Sequence, residues 1–330
     1  MTATPRVLAR YEEARRGSRV DLSDNTNLWG SPPSVEKTIS SVAGQVARYP
    51  SAYSDELKQS LAKYLAVEQS MLVTGCGSDD VLNSAIRALS TPGNRLAQID
   101  PTFTMIRIFA EGNGLEVSDF DSDSSEAELT YLCSPNNPTG GVIDTAVIQS
   151  IVQRSSGVVI IDEAYIDFGG ESSIPLLERY ENVLITRTLS KAFGLAGFRV
   201  GYAVGSPDLI CRVESARGPY KVNALAERVA VEVLSQDMRW VRDRADEAVR
   251  NRQRFAVELS QLGLEPLESF ANFVLLPLSD ASRVAEELLC RGISVRAFKA
   301  LTGIGDALRI TVGPWELMEP CLEALREICR

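Results

Sequence analysis

Lys191 stands in the run Thr188-Leu189-Ser190-Lys191-Ala192-Phe193-Gly194, directly after an apolar, strand-like segment. Lysine is seldom carried into such a setting without a task, because its ammonium is costly to bury. There it can serve as the amine of a Schiff base, with the hydroxyl of Ser190 and the guanidinium of Arg199 gripping a phosphate nearby. The same string read alone also suits a surface lysine in a loop.

Three other strings offer chemistry. Ser134-Pro135-Asn136-Asn137-Pro138-Thr139-Gly140 is by composition a tight turn. It follows a strand-like segment, and ligands of open α/β sheets bind beyond the carboxyl ends of strands. In Val158-Val159-Ile160-Ile161-Asp162-Glu163-Ala164-Tyr165 an acid closes an apolar run. Such an acid is either a helix cap or a functional carboxylate needing a cationic partner, for which a protonated pyridine would serve. Thr74-Gly75-Cys76-Gly77-Ser78-Asp79-Asp80 lies between a strand and a helix. Backbone N–H groups at such a helix start can cradle phosphate, although glycine-rich turns of this kind are common.

The chain contains no histidine. Ser-His and Cys-His nucleophiles and most transition-metal sites are thereby removed, and acid–base work near neutral pH falls to Lys, Tyr, Cys or a carboxylate. The six cysteines, at positions 76, 133, 211, 290, 321 and 329, include no CxxC pair. They are expected to be reduced thiols in a cytoplasmic protein, with no metal site.

The elements that must position these groups alternate. Strand-like segments at 71–74, 96–100, 129–133, 158–161, 182–187 and 199–204 are separated by helix-like ones at 79–88, 102–111 and 145–153. Continuous apolar runs between helices predict a mostly parallel sheet covered on both faces. Beyond Pro207 the pattern changes to helical stretches at 208–217 and 224–262. A strand at 272–276, a helix at 281–291, short strands at 293–296 and 308–311 and a last helix at 315–328 follow. This pattern predicts a separate α+β domain joined by a long helix, with the first 45 residues, which hold no strong strand, wrapping onto it. The expected division is 1–45 for the N-terminal arm and part of the small domain, 46–235 for the large domain and 236–330 for the small one.

At 330 residues, 45% apolar and 24% charged, the chain has the composition of a globular protein with a sizeable core. Its net charge of -10 argues against nucleic acid or an anionic membrane as partner. No segment has the apolar length of a signal peptide or a membrane span.

A lysine, an asparagine, an aspartate and a phosphate cradle, each at a strand end, make up the parts of a pyridoxal phosphate site. Together the four strings resemble fold-type I aminotransferases of class I/II, and among them the histidinol-phosphate aminotransferases most. The resemblance runs from Tyr11 to the last helix. It implies an α/β fold of the pyridoxal-phosphate-dependent transferase type, with a seven-stranded, mostly parallel sheet in the large domain and a smaller α+β domain. It also implies a cofactor, pyridoxal 5′-phosphate, held covalently by Lys191, which later moves the proton at the substrate carbon. Asp162 would pair with the ring nitrogen, Tyr165 and Asn137 would bond the ring oxygen, and Phe103 would stack on the ring. The phosphate would be held by the Ser78 and Asp79 backbone, Ser190 and Arg199, with Tyr49 arriving from the neighbouring subunit of a homodimer. Tyr11, Asn137, Arg296 and Arg309 would face the substrate, an amine or amino acid exchanged with a 2-oxo acid.

The reaction implied is exchange of the amino group of histidinol phosphate with 2-oxoglutarate. A transaminase for another, aromatic or specialised amino acid and a threonine-phosphate-decarboxylase-like lyase share the same parts. Thr26, Leu28, Trp29, Ile106 and Lys221 depart from the family pattern and are expected near the substrate side of the pocket.

Overall fold

The fold is described from a computed structural model, over residues 18–121 and 126–329. Its centre is a seven-stranded sheet in the order β2 (Leu72–Cys76), β8 (Val200–Gly205), β7 (Val183–Thr188), β6 (Val158–Asp162), β5 (Leu129–Cys133), β3 (Arg95–Gln98) and β4 (Glu116–Asp119). Only β8 runs antiparallel to its neighbours. The inner strands β5, β6 and β7 are buried almost throughout, which is why their sequences read as unbroken apolar runs rather than alternating ones.

Helices cover both faces. One face carries α3 (Gly77–Leu89), α4 (Thr104–Gly112) and α6 (Pro207–Arg217) over a core that includes Val81, Leu82, Ile106 and Tyr131. The other face buries Leu57, Leu61, Phe193 and Val229 beneath α2 (Asp55–Leu65) and α7 (Ala224–Gln236), with α1 (Ser34–Val42) alongside. Local signals place several helix starts. Asp144 accepts the Ala146 N–H at 2.7 Å before α5 (Thr145–Arg154), and Asn223 accepts the Ala226 N–H at 2.9 Å before α7. Pro207 occupies the first turn of α6, where a missing N–H costs nothing.

A second, antiparallel sheet in the order β11 (Arg296–Leu301), β12 (Gly305–Thr311) and β9 (Phe273–Pro277) is backed by α9 (Ala281–Cys290) and α10 (Trp315–Ile328). The first strand, β1 (Val20–Asp21), pairs in parallel with β10 (Ile293–Ser294).

Four features differ from the sequence expectation. The helical stretch 224–262 is broken at Asp237 into α7 and α8 (Met238–Gln261). Asp237 leaves helical geometry, and its carboxylate accepts the Ser34 N–H at 3.0 Å, so a tertiary contact overrides continuous helix propensity. The N-terminal segment also reaches further than expected: α1 packs on α7, and Asn27 Nδ2 donates to the Ala192 carbonyl at 3.0 Å beside Lys191. The edge strand β4 is absent from the expectation because its side chains are half exposed, which leaves no apolar run. The strand begun at Ile293 becomes β10 and the longer β11, whose exposed residues likewise hide it. Among the described residues no helix is long and apolar enough to cross a membrane.

Candidate active site

A cavity of about 390 Å³ opens where the carboxyl ends of the parallel strands meet the N-terminal segment and β12. It is lined by Ser78, Asp79, Phe103, Asn137, Asp162, Tyr165, Ser190, Lys191, Arg199 and Arg309, and also by Asp24 and Asn25. Ten of the residues expected from sequence thus converge on one space. Open parallel sheets place ligands here because every strand end points its loop to the same side.

Each polar group is held by a particular element. Asp162 ends β6, and its carboxyl oxygens accept from Tyr131 Oη at 2.8 Å and from the Ala164 N–H at 3.2 Å. Burial raises its pKa to about 6 against the lowering effect of those two donors. Among the described residues no ion pair reaches this carboxylate. Lys191 follows β7, and its Nζ donates to the Asp24 carbonyl at 3.3 Å. Burial, helped by the positive charge of Arg309, brings its pKa down to about 8. An amine so depressed is substantially neutral, and hence nucleophilic, in mildly alkaline water.

Tyr165 lies in the turn after β6. Its hydroxyl accepts from Asn25 Nδ2 at 3.0 Å, and its ring meets Phe273 edge-on with centroids 5.2 Å apart. Arg309 of β12 donates from Nη1 to Asn137 Oδ1 at 2.6 Å and from Nη2 to the Ser23 carbonyl at 2.8 Å. The rings of Phe273 and Phe298 flank its guanidinium at 5.5 and 5.6 Å, an arrangement that fixes a planar cation in place.

Opposite the carboxylate end, the first turn of α3 presents the N–H groups of Ser78 and Asp79, which have no partner within the helix. Arg199, in the left-handed region with φ 56°, reaches over this turn, its Nη2 3.2 Å from Asp79 Oδ2. Two glycines allow the approach. A Cβ on Gly77 would come within 2.6 Å of Arg199 Nη2, and one on Gly201 within 2.1 Å of the Ser78 nitrogen. Thr188 Oγ1 and Ser190 Oγ sit 2.9 Å apart at the same end. Helix N–H groups, a guanidinium and hydroxyls form a seat for a phosphate.

Two expected residues lie elsewhere. Tyr49 is 84% exposed and stacks on Tyr220 with ring centroids 4.8 Å apart, away from the cavity. Arg296 does not line the cavity but pairs in register with Arg309 across β11 and β12. Tyr11 falls outside the described residues. The departures from the family pattern are also placed differently. Ile106 is fully buried in the core behind α4, Lys221 pairs with Asp80 at 3.2 Å, and neither these nor Thr26, Leu28 and Trp29 line the cavity.

The residues 18–325 match the family model described as aminotransferase class I and II. The chain belongs to that family. Among relatives of this aminotransferase, the histidinol-phosphate aminotransferase of Thermoanaerobacter pseudethanolicus is 34% identical over 336 residues, covering 96% of this chain and 95% of the relative. Two solved structures share the fold. Histidinol-phosphate aminotransferase from Sinorhizobium meliloti, in complex with pyridoxal-5′-phosphate, aligns with a TM-score of 0.84 at 24% identity, over 95% of this chain and 91% of that one. L-threonine-O-3-phosphate decarboxylase from Porphyromonas gingivalis aligns with a TM-score of 0.85 at 24% identity, over 94% and 99%.

Sequence reasoning missed Asp24, Asn25, Met105, Cys133, Ala164 and Thr188 as lining residues, and Tyr131 behind Asp162. Asn25 belongs to the N-terminal segment, whose motif is altered, and only the folded chain shows it returning to Tyr165. Tyr131 carried a usable signal, since it alternates with Cys133 on the strand preceding the Asn-rich turn.

Proposed function

We propose that this aminotransferase uses pyridoxal 5′-phosphate to exchange the amino group of histidinol phosphate with 2-oxoglutarate. The fit to the cofactor rests on a lone buried carboxylate facing a depressed lysine across one cavity, with a phosphate seat at the other end. Among the described residues Asp162 has hydrogen-bond donors but no ion-pair partner. A protonated ring nitrogen is the charge it lacks.

When bound, the cofactor supplies the electron sink that makes loss of a Cα proton feasible. In this reading Lys191 would hold the cofactor through its aldehyde and would take and return the proton at the substrate Cα. No histidine is needed for that step. Asp162 keeps the ring nitrogen protonated. Tyr165 and Asn137 bond the ring oxygen, and Phe103 covers the ring. Ser78, Asp79, Ser190 and Arg199 hold the phosphate.

The observation that carries the substrate is the guanidinium of Arg309, which lines the cavity and is fixed by Asn137, the Ser23 carbonyl and two aromatic rings, with Arg296 opposite it in register on β11. Planar guanidinium groups suit carboxylate and phosphate alike, so one set can serve glutamate and a phosphorylated amine in turn. Tyr11 would add a further contact to the substrate phosphate. The relatives named histidinol-phosphate aminotransferase at 34% identity support this choice. The alternative of a specialised amino acid drew on Trp29, Ile106 and Lys221, none of which lines the cavity.

The enzyme is further proposed to be a cytoplasmic homodimer, with Tyr49 completing the phosphate site of the neighbouring subunit. An exposed aromatic surface at Tyr49, Tyr53 and Tyr220 supports it. The deciding experiment follows the absorption of the cofactor-loaded protein with L-glutamate and with histidinol phosphate in separate cuvettes. Conversion to the amine form with both is expected. Conversion with glutamate alone would move the substrate, and release of CO2 without conversion would establish a lyase.

A further inference from the structure

We propose that Tyr131 is a positioning residue that sets the orientation and proton affinity of the Asp162 carboxylate. The consequence for the ring nitrogen rests on the role of Asp162 given above, while the link between the two side chains stands apart from it. The register of the sheet creates the contact. On the parallel strands β5 and β6, Tyr131 lies opposite Ile160 and Cys133 opposite Asp162. Alternate residues share a face, so Tyr131 and Asp162 are diagonal neighbours on one surface, within reach of a long side chain. The phenol closes the gap at 2.8 Å from Oδ2, and the Ala164 N–H holds Oδ1 at 3.2 Å. With both oxygens bonded, the carboxylate cannot turn about its own axis without breaking one of them.

Packing alone does not call for the hydroxyl. Tyr131 is fully buried, and its ring packs in the apolar cluster with Val81, Leu82 and Ile106. A phenylalanine would fill that space without bringing a polar group out of water. The titratable groups facing Asp162 are Tyr131 and Cys133 from β5, Asp79 from α3, Tyr165 beyond β6 and Lys191 beyond β7. The thiol of Cys133 donates to the Pro135 carbonyl at 3.4 Å, and the hydroxyl of Tyr165 accepts from Asn25 Nδ2 at 3.0 Å. Tyr131 is the side chain placed at hydrogen-bond distance from this carboxylate, and the Thr186 hydroxyl of β7 adds a weaker lowering influence. The phenol's own proton is held well above the ordinary tyrosine range by burial and by Asp162, so it donates at every working pH. Its donation opposes the burial that raises Asp162.

The test begins on cofactor-free protein carrying carbon-13 in its aspartate carboxyls, with the Asp162 signal identified by its loss in Asp162→Asn. In Tyr131→Phe the titration midpoint of Asp162 is expected to rise by about one unit, a tenfold gain in proton affinity. A 3-fluorotyrosine at position 131, a stronger donor of the same size, is expected to move it the other way. The second measurement is the half-reaction of the loaded enzyme with L-glutamate. Tyr131→Phe is expected to slow it about tenfold in the native background, and hardly at all in Asp162→Asn. An unchanged midpoint in both variants, or equal slowing in the two backgrounds, overturns the proposal. A shifted midpoint in an enzyme that does not react with glutamate upholds the link between Tyr131 and Asp162 and rejects the transamination reading alone.

Discussion

The amine of Lys191 and the carboxyl of Asp162 are displaced toward each other by the same cause, removal from water. For the lysine the consequence is reactivity. With a pKa near 8, its neutral fraction grows as pH rises through that value. Capture of free pyridoxal phosphate by cofactor-free protein should accelerate through a midpoint of about 8 and then level off. Stopped-flow absorbance over a pH series checks this, and a midpoint in the ordinary lysine range would contradict it. Because the charge of Arg309 helps hold the lysine down, Arg309→Met should raise the midpoint. For Asp162 the consequence is a pH-dependent cost. Its folded value, about 6, lies above the ordinary 3.8, so between these values the native state binds more protons than the unfolded one. Stability from this group is complete below the lower value and lost as pH rises through the higher one. Asp162→Asn removes the titration. In thermal melts of cofactor-free protein, the variant should gain on the native protein between pH 4 and 7, by on the order of 3 kcal/mol at most. Bound cofactor, by supplying the missing cation, should shrink that gain.

At the scale of elements, the phosphate seat depends on β8 lying directly under the first turn of α3. Gly201 makes this possible, since a Cβ there would stand 2.1 Å from the Ser78 nitrogen and 2.3 Å from the Gly77 carbonyl carbon. Backbone, unlike a side-chain tip, has nowhere to go. Gly201→Ala should therefore push α3 off the sheet, lowering stability by about 1–3 kcal/mol. It should also weaken cofactor affinity at least tenfold, as measured by equilibrium titration, while Lys191 still reacts. The sequence made β5, β6 and β7 legible because strands buried on both faces must be apolar throughout, and these are. It made Lys191, Asp162 and Asn137 legible because each polar residue interrupts or follows such a run. What it hid obeys the same logic. The half-exposed β4 and β11 lack an apolar signature. The break at Asp237 comes from a bond to Ser34, about 200 residues away in sequence. Asn25 reaches Tyr165 and Arg309 reaches Asn137 only through long-range folding, and Ile106 was misplaced because helix phase alone did not show that it points into the core.

At the scale of the whole molecule, the question is whether one chain completes its own site. Tyr49 is 84% exposed, and with Val46 at 63%, Tyr220 at 46% and Tyr53 at 41% it contributes to an exposed aromatic and aliphatic surface. A folded monomer rarely leaves such a patch open to water. If a second copy covers it, two-fold symmetry sends each Tyr49 toward the partner's cavity. A mixing experiment separates this from action within one chain. Lys191→Ala and Tyr49→Ala proteins, each nearly inactive alone, are unfolded, combined in equal amounts and refolded together with cofactor. Where Tyr49 serves the partner, a mixed dimer gathers both defects in one site and leaves the other whole. Random pairing then restores about a quarter of the sites. Where Tyr49 serves its own chain, every mixed dimer carries one defect in each site and no activity returns. Recovery near a quarter in the mixture, and near a half in mixed dimers isolated by differential tags and assayed for glutamate conversion, would establish the composite site. Absence of recovery in isolated mixed dimers would return Tyr49 to a role in packing against Tyr220.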